Sequence, residues 1–461
     1  MDPAPRRVRD GLDGHVCGYD HGLFRLARIL GLAGLPLVAL LAFVFGGEGH
    51  ALQPGVTPVS SATCGPVQYE GASPAQALIV SDLPLRGASS KRSQQMNDAI
   101  RLVLRAAGWR AGARRVAFQA CDDSDPATGL WSTAICRANA LAYAADPSVL
   151  GVVGTYNSGC AEVMIPLLGH APGGGLAMVS PGNTLVCLTQ TSPGCTGGEP
   201  ASLYPGRRNY ARVVPNDAYQ GAGLALFAMR ERIRKVYVLY AGADPQALGA
   251  ARTFRGAARE LGVKVVGFSP WDVSASSYVG LMRRVARTSP NGVLLAGLTE
   301  ENGARLIKDK VGVLGANSGK VKLLAPDGFA QQSTIDLTGP AARGMFASVP
   351  GRVPRNLSGP GRRLVSELRR EVGPAVELFA PYAGQAAGVL LSAITRGGSR
   401  SGVIAAVFKT NIREGITGSF SILRSGDPSV GPITVSVASK SFLPVRELHP
   451  GPPLVSAARH G

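Results

Sequence analysis

Two short polar breaks carry hydroxyls and amides that could grip a small anion. The first, Thr155-Tyr156-Asn157-Ser158-Gly159, follows the apolar run 149–153 and opens a segment of helical character at 161–168. The second, Ser180-Pro181-Gly182-Asn183-Thr184, follows the apolar run 176–179. Where a strand feeds a helix through Ser, free backbone N–H groups and the helix dipole converge and attract negative charge. Two breaks one strand–helix–strand unit apart place their hydroxyls and amides side by side, at the carboxyl ends of neighbouring parallel strands. Neither break contains an obvious nucleophile–base pair.

Other chemistries find little material. Five of the six His residues fall near the termini or in the early linker, which leaves a Ser-His-Asp hydrolase without a base. His170 reads as a helix-end residue. No P-loop pattern is present, and Gly173-Gly174-Gly175 lacks the GxGxxG order of a dinucleotide turn. Asp122, Asp123 and Asp125 resemble a calcium-loop fragment without its Gly and distal Glu, and read as a solvated turn beside a disulfide. No metal, cofactor or enzymatic activity is expected.

The elements that must position the breaks follow from the alternation of apolar runs. Strand-like segments at 77–80, 115–120, 149–153 and 176–179 alternate with helix-like segments at 92–107, 133–145 and 161–168. In the first helix Met96, Ile100, Val103 and Leu104 share a face. A second series runs from about 216 to 325, two more helices follow at 364–372 and 381–394, and strands close the chain at 418–423 and 433–438. Strands separated by helices of this length imply parallel sheets covered on both faces, so the fold class is α/β with two Rossmann-like lobes.

The chain has 461 residues, 45% of them hydrophobic, and a formal charge of +18 from 48 basic and 30 acidic side chains. The Arg residues are scattered without interleaved aromatics, which argues against nucleic acid and for attraction to an anionic envelope surface. Residues 29–47 are nineteen uncharged residues preceded by Arg6, Arg7, Arg9, Arg25 and Arg28. That is the pattern of an export signal, cleavable after Ala51, or of an uncleaved transmembrane anchor with 1–28 as a basic cytoplasmic tail. Either way the bulk of the chain is expected outside the cytoplasm, after a linker at 48–75. The six Cys residues beyond this segment, Cys64, Cys121, Cys136, Cys160, Cys187 and Cys195, form an even exported set that suggests three disulfides. Fifteen pairings are possible; Cys121–Cys136 and Cys187–Cys195 would close short loops, leaving Cys64–Cys160.

In order and spacing, several motifs resemble the type I periplasmic-binding-protein family, specifically its leucine/isoleucine/valine-binding branch of ABC-transporter receptors. They are Gly151-Val152-Val153-Gly154 with Asn157-Ser158-Gly159, Val179-Ser180-Pro181-Gly182-Asn183-Thr184, Tyr210-Ala211-Arg212-Val213-Val214-Pro215-Asn216-Asp217, Val236-Tyr237-Val238-Leu239-Tyr240, Ala325-Pro326-Asp327-Gly328 and Gly418-Ser419-Phe420. The resemblance spans roughly residues 76–445. It implies two discontinuous lobes, 76–212 with 350–428 and 213–349 with 429–448, followed by a tail at 449–461. They are joined by three hinge crossings near 212–215, 347–350 and 425–431, with a ligand cleft between them.

The resemblance also implies the site. An amino-acid carboxylate falls to Ser158 and Thr184, with Asn157 and Asn183 beside them, and the ammonium falls to the Gly182 carbonyl and to Asp327 of the opposite lobe. Burying a zwitterion requires both charges to be matched, which this division achieves only when the lobes close. The partners implied are a small amino-acid-like ligand and the permease and ATPase subunits of a transporter; a tethered sensor with a signalling partner is the alternative. Two departures stand out. Pro245 and Leu298 occupy positions where the family places aromatics over the ligand, and Glu300 and Glu301 follow, either as solvated helix caps or as carboxylates favouring a cationic ligand.

Overall fold

The structure is a computed structural model describing residues 55–461 apart from 62 and 243. The first lobe is built from β1 (Cys64–Gln68), β2 (Ala77–Leu83), α1 (Ser90–Ala106), β3 (Arg110–Ala111), β4 (Arg114–Asp122), α2 (Thr133–Ala145), β5 (Val149–Gly154), α3 (Ser158–Gly169), β6 (Ala177–Ser180) and β7 (Tyr210–Arg212). Its strands pair in the order β1-β4-β2-β5-β6-β7, with β3 added to β4. Central strands β2 and β5 are buried at every position, as a sheet covered on both faces requires. Separate apolar cores lie on its two faces.

The chain then enters the second lobe through α4 (Asp217–Arg230), β8 (Lys235–Ala241), α5 (Pro245–Glu260), β9 (Lys264–Trp271), α6 (Val279–Arg287), β10 (Gly292–Ala296), α7 (Ala304–Leu314), β11 (Lys322–Ala325), α8 (Gln332–Thr338) and β12 (Phe346–Pro350). It returns to the first lobe as α9 (Gly359–Val372), α10 (Ala380–Gly397), α11 (Arg400–Val407) and the hairpin β13 (Asn411–Gly415)–β14 (Gly418–Ser421). Leu390 and Ile394 of α10 pack in the same core as Ile79 and Phe118. The last passage delivers β15 (Ile433–Ala438), β16 (Phe442–Leu448) and α12 (Pro452–Arg459) to the second lobe. That sheet runs β16-β15-β12-β11-β10-β8-β9.

Several sequence expectations are corrected. The sheets are mixed: five strands of each are parallel, but β1 and β3 run antiparallel to β4, and β15 and β16 are antiparallel additions beside β12. The three residues between β15 and β16 permit only a hairpin, because a parallel pair needs a crossover of a dozen or so residues. The disulfides are Cys64–Cys121, Cys136–Cys160 and Cys187–Cys195. Cys121–Cys136 and Cys64–Cys160 are therefore replaced. Cys64 and Cys121 sit opposite each other in the β1–β4 register, while Cys136 and Cys160 join the neighbouring helices α2 and α3. Loop length carries no information about either juxtaposition.

The segment read as a linker contains β1, and the segment read as a tail contains α12. Helix α12 packs on α5 where Gly256 leaves no room for a side chain: a Cβ there would lie 2.3 Å from the Ala457 carbonyl oxygen. The anchor or signal segment at 29–47 and the tail at 1–28 lie outside the described residues. Among the described residues no helix is long and apolar enough to cross a membrane. The fold is thus two lobes with mixed sheets, with no membrane helix among its described elements.

Candidate ligand-binding cleft

The two breaks meet at the carboxyl ends of β5 and β6. Asn157 occupies the cap position of α3 in extended conformation, although its side chain makes no capping bond, and Ser158 is the first helical residue. The Ser180 hydroxyl donates to the Thr155 carbonyl (2.9 Å) and accepts from the amides of Gly182 (3.1 Å) and Asn183 (2.8 Å). Asn183 spends both amide protons on the first break, on Thr155 Oγ1 (3.3 Å) and the Tyr156 carbonyl (3.0 Å), and its oxygen accepts from the Tyr210 hydroxyl (3.1 Å). Its side chain is a strut. The Leu185 amide reaches Ser158 Oγ at 3.3 Å. Gly182 lies against the Tyr156 ring, and a Cβ there would sit 2.9 Å from it.

The second lobe supplies the facing wall. Asp327 follows β11 and accepts a 2.6 Å hydrogen bond from Gln220 Nε2. Asn216 caps α4 through the Ala218 amide (3.1 Å), which sets Asp217 and Gln220 on the first turn. The Thr184 carbonyl accepts from the Asp217 amide (2.7 Å), and Thr184 Oγ1 accepts from Gln246 Nε2 of α5 (3.2 Å). Ser158, Thr184, Asp217, Gln220 and Asp327 are all at most 9% exposed, so the lobes are closed on one another. The structure thus gathers Ser158, Gly182, Asn183 and Thr184 at one junction and places Asp327 beside α4, which Thr184 touches. Two buried carboxyls compete in this space. Burial, then the Asp327 charge, pushes Asp217 up to about 7. Burial likewise pushes Asp327 up to about 6, with the Arg92 charge opposing it.

The periplasmic binding protein family matches residues 83–435 of this chain. This chain belongs to that family. No curated protein matches by sequence. Among solved structures, the chain is similar to the leucine-binding protein LivK of Thermotoga maritima, at 20% identity and TM-score 0.69, covering 81% of this chain and 99% of that one. It is similar to the branched-chain amino acid substrate-binding protein LivJ of Streptococcus pneumoniae, solved with isoleucine, at 15% identity and TM-score 0.65 over 80% and 99% of the two chains. It is also similar to an ABC-transporter solute-binding protein of Rhodopseudomonas palustris, solved with p-hydroxybenzoic acid, at 15% identity and TM-score 0.67 over 82% and 98%.

As a periplasmic binding protein the chain is a solute-binding component of the ABC-transporter type, acting outside the cytoplasm in a binding and not a catalytic role. Two arginines that the sequence does not single out stand beside the breaks. Arg92, on α1, donates through Nη1 to the Tyr156 hydroxyl and lies over the rings of Tyr156 (5.0 Å) and Phe379 (5.5 Å). Behind the second break, the buried Arg212–Asp427 pair (2.8 Å) fastens the hinge. Arg212 Nη1 also donates to the carbonyls of Asn183 (3.0 Å) and Leu185 (2.9 Å).

The acidic residues noted in the sequence take unexpected places. Asp122 and Asp123 are buried, not solvated: Asp122 accepts from the amides of Leu85 and Ser124, each at 2.9 Å. Glu301 accepts from the Leu298 amide (2.7 Å) as a partly buried cap, and Glu300 accepts from Gln331 Nε2 (2.9 Å).

Burial pushes Glu162 up to about 7 and Glu301 up to about 8, with neighbouring acids adding to both. With Asp217 and Asp327, these groups hold protons more tightly in the closed fold than in the unfolded chain, where carboxyls titrate near 4. Their contribution to stability is therefore fully present below pH ~4 and is lost as pH rises through about 6 to 8. The protein should melt higher at about pH 5.5 than at about pH 8.5. Scanning fluorimetry checks this, and the reverse order would contradict the burial of these acids.

Proposed function

We propose that the protein captures an amino-acid-like solute in the interlobe cleft and delivers it to the permease and ATPase subunits of an ABC-type transporter. The observation that carries this reading is the convergence of the Ser158 and Thr184 hydroxyls at one strand-end junction, with a buried carboxylate, Asp327, on the facing lobe. The ligand carboxylate takes Ser158, Thr184 and the amides beside Asn157. The ammonium takes the Gly182 carbonyl and Asp327. The lobes then correspond to 76–212 with 350–428, extended by β1, and 213–349 with 429–448, extended by α12, hinged at the three passages.

Charge matching explains why closure follows ligand. Bringing Asp327 into the cleft strips water from it, which a ligand cation offsets and solvent cannot. The solved relatives accept leucine, isoleucine and hydroxybenzoate, which supports a small carboxylate without fixing its side chain. Calorimetric titration of the protein with a panel of amino acids tests the reading. At least one member should bind with one-to-one stoichiometry, and absence of heat and of thermal shift across the panel would overturn it.

A further inference from the structure

Arg92 stands where an apolar residue is expected. It precedes Met96, Ile100 and Leu104 at four-residue intervals, on the stripe that α1 turns toward the core. It is 2% exposed. Its Nη1 is engaged by the Tyr156 hydroxyl, while Nε and Nη2 have no hydrogen-bond partner among the described residues. No ion pair among the described residues neutralises it, although Asp327 lies near enough to feel its charge. A guanidinium carries five donors in a planar fork suited to carboxylate, and leaving it buried and half-satisfied is strongly unfavourable.

We infer that Arg92 binds a second carboxylate on the ligand, so that the cleft selects an acidic amino acid over a neutral branched one. This rests on the cleft being the ligand site. The placement supports it: Tyr156, whose hydroxyl accepts from Arg92, lies two residues before Ser158 in the first break, so the guanidinium stands on the same side of the fold as the carboxylate grip. The charges then close: the α-carboxylate faces hydroxyls and amides, the ammonium faces Asp327, and the side-chain carboxylate faces Arg92 between the Tyr156 and Phe379 rings. The aromatic cover absent at Leu298 is not needed for a polar side chain.

The test is calorimetric titration of the full chain with L-glutamate, L-aspartate, L-glutamine and L-leucine, repeated with Arg92→Gln. The acid should bind at least about 30-fold more tightly than its neutral counterpart, the effect of one buried charge-assisted contact. Arg92→Gln should bring glutamate to within about threefold of glutamine and leave glutamine nearly unchanged. Leucine or glutamine binding as well as glutamate would overturn the inference and leave the receptor reading standing. So would an equal loss for acid and amide in Arg92→Gln, which marks a structural role. Failure of glutamate and aspartate to bind would also overturn it, while the receptor reading falls only if the wider amino-acid panel gives no binding either.

Discussion

Asp427→Ala should lower the stability of the protein by about 3–5 kcal/mol, the cost of leaving a buried charge without its partner. Asp427 accepts from Arg212 Nε (2.8 Å), Thr189 Oγ1 (2.9 Å), Gln190 Nε2 (2.7 Å) and Ser425 Oγ (2.8 Å). Its removal orphans these donors and strands a guanidinium that is wholly buried. Burial alone would raise the Asp427 carboxyl; the Arg212 charge and the hydrogen bonds overcome it and hold the carboxyl below its ordinary value. The pair therefore stabilises above the unfolded carboxyl range, near 4, and fails only as pH falls through the lower folded value. Thermal unfolding at neutral pH should show a midpoint drop of about 4–6 °C, given the unfolding entropy of a chain of this length. A drop of only about a degree would mean that the hinge is held by other contacts. Because Arg212 also holds the Asn183 and Leu185 carbonyls, the second break should loosen with it.

How much of this could be read from the residues differs from feature to feature. The breaks at Ser158 and Thr184 were legible because an apolar run ending in small polar residues has a local signature. Asp327 was reachable only through resemblance, since a strand followed by Pro-Asp-Gly also describes a plain turn. Arg92 is hidden in the sequence because the stripe formed by Met96, Ile100 and Leu104 reads as core, and only the structure shows its guanidinium against the Tyr156 hydroxyl of the first break. Arg212 and Asp427 stand 215 residues apart, and nothing local in either segment anticipates the other. The antiparallel edges and two of the disulfides depend on strand register and helix packing, which periodicity does not encode. The alternation of strands and helices, by contrast, was plain, because each buried strand must itself be apolar.

The second large effect concerns the carboxylate opposite the grip. Asp327→Asn keeps the shape and the hydrogen bond from Gln220 while removing the negative charge that would face a ligand ammonium. Losing one member of a buried charge pair costs about 2–5 kcal/mol in binding, so affinity should fall by about 30-fold or more. Stability should not fall with it, because burial already pushes this carboxyl up to about 6 and the ionised form is a burden on the closed fold. Ser158→Ala removes a hydroxyl from the other end of the same ligand, worth about 1.5–3 kcal/mol toward a charged group, or about tenfold or more. These losses at opposite lobes should appear in a ligand that carries both charges.

The most direct measurement is calorimetric titration of the tightest amino-acid ligand into the wild-type protein, Ser158→Ala and Asp327→Asn, with melting temperatures recorded alongside. The cleft reading requires both variants to lose affinity by the stated factors while Asp327→Asn melts no lower than wild type. Unchanged affinity in both variants would contradict it and place the ligand elsewhere on the protein.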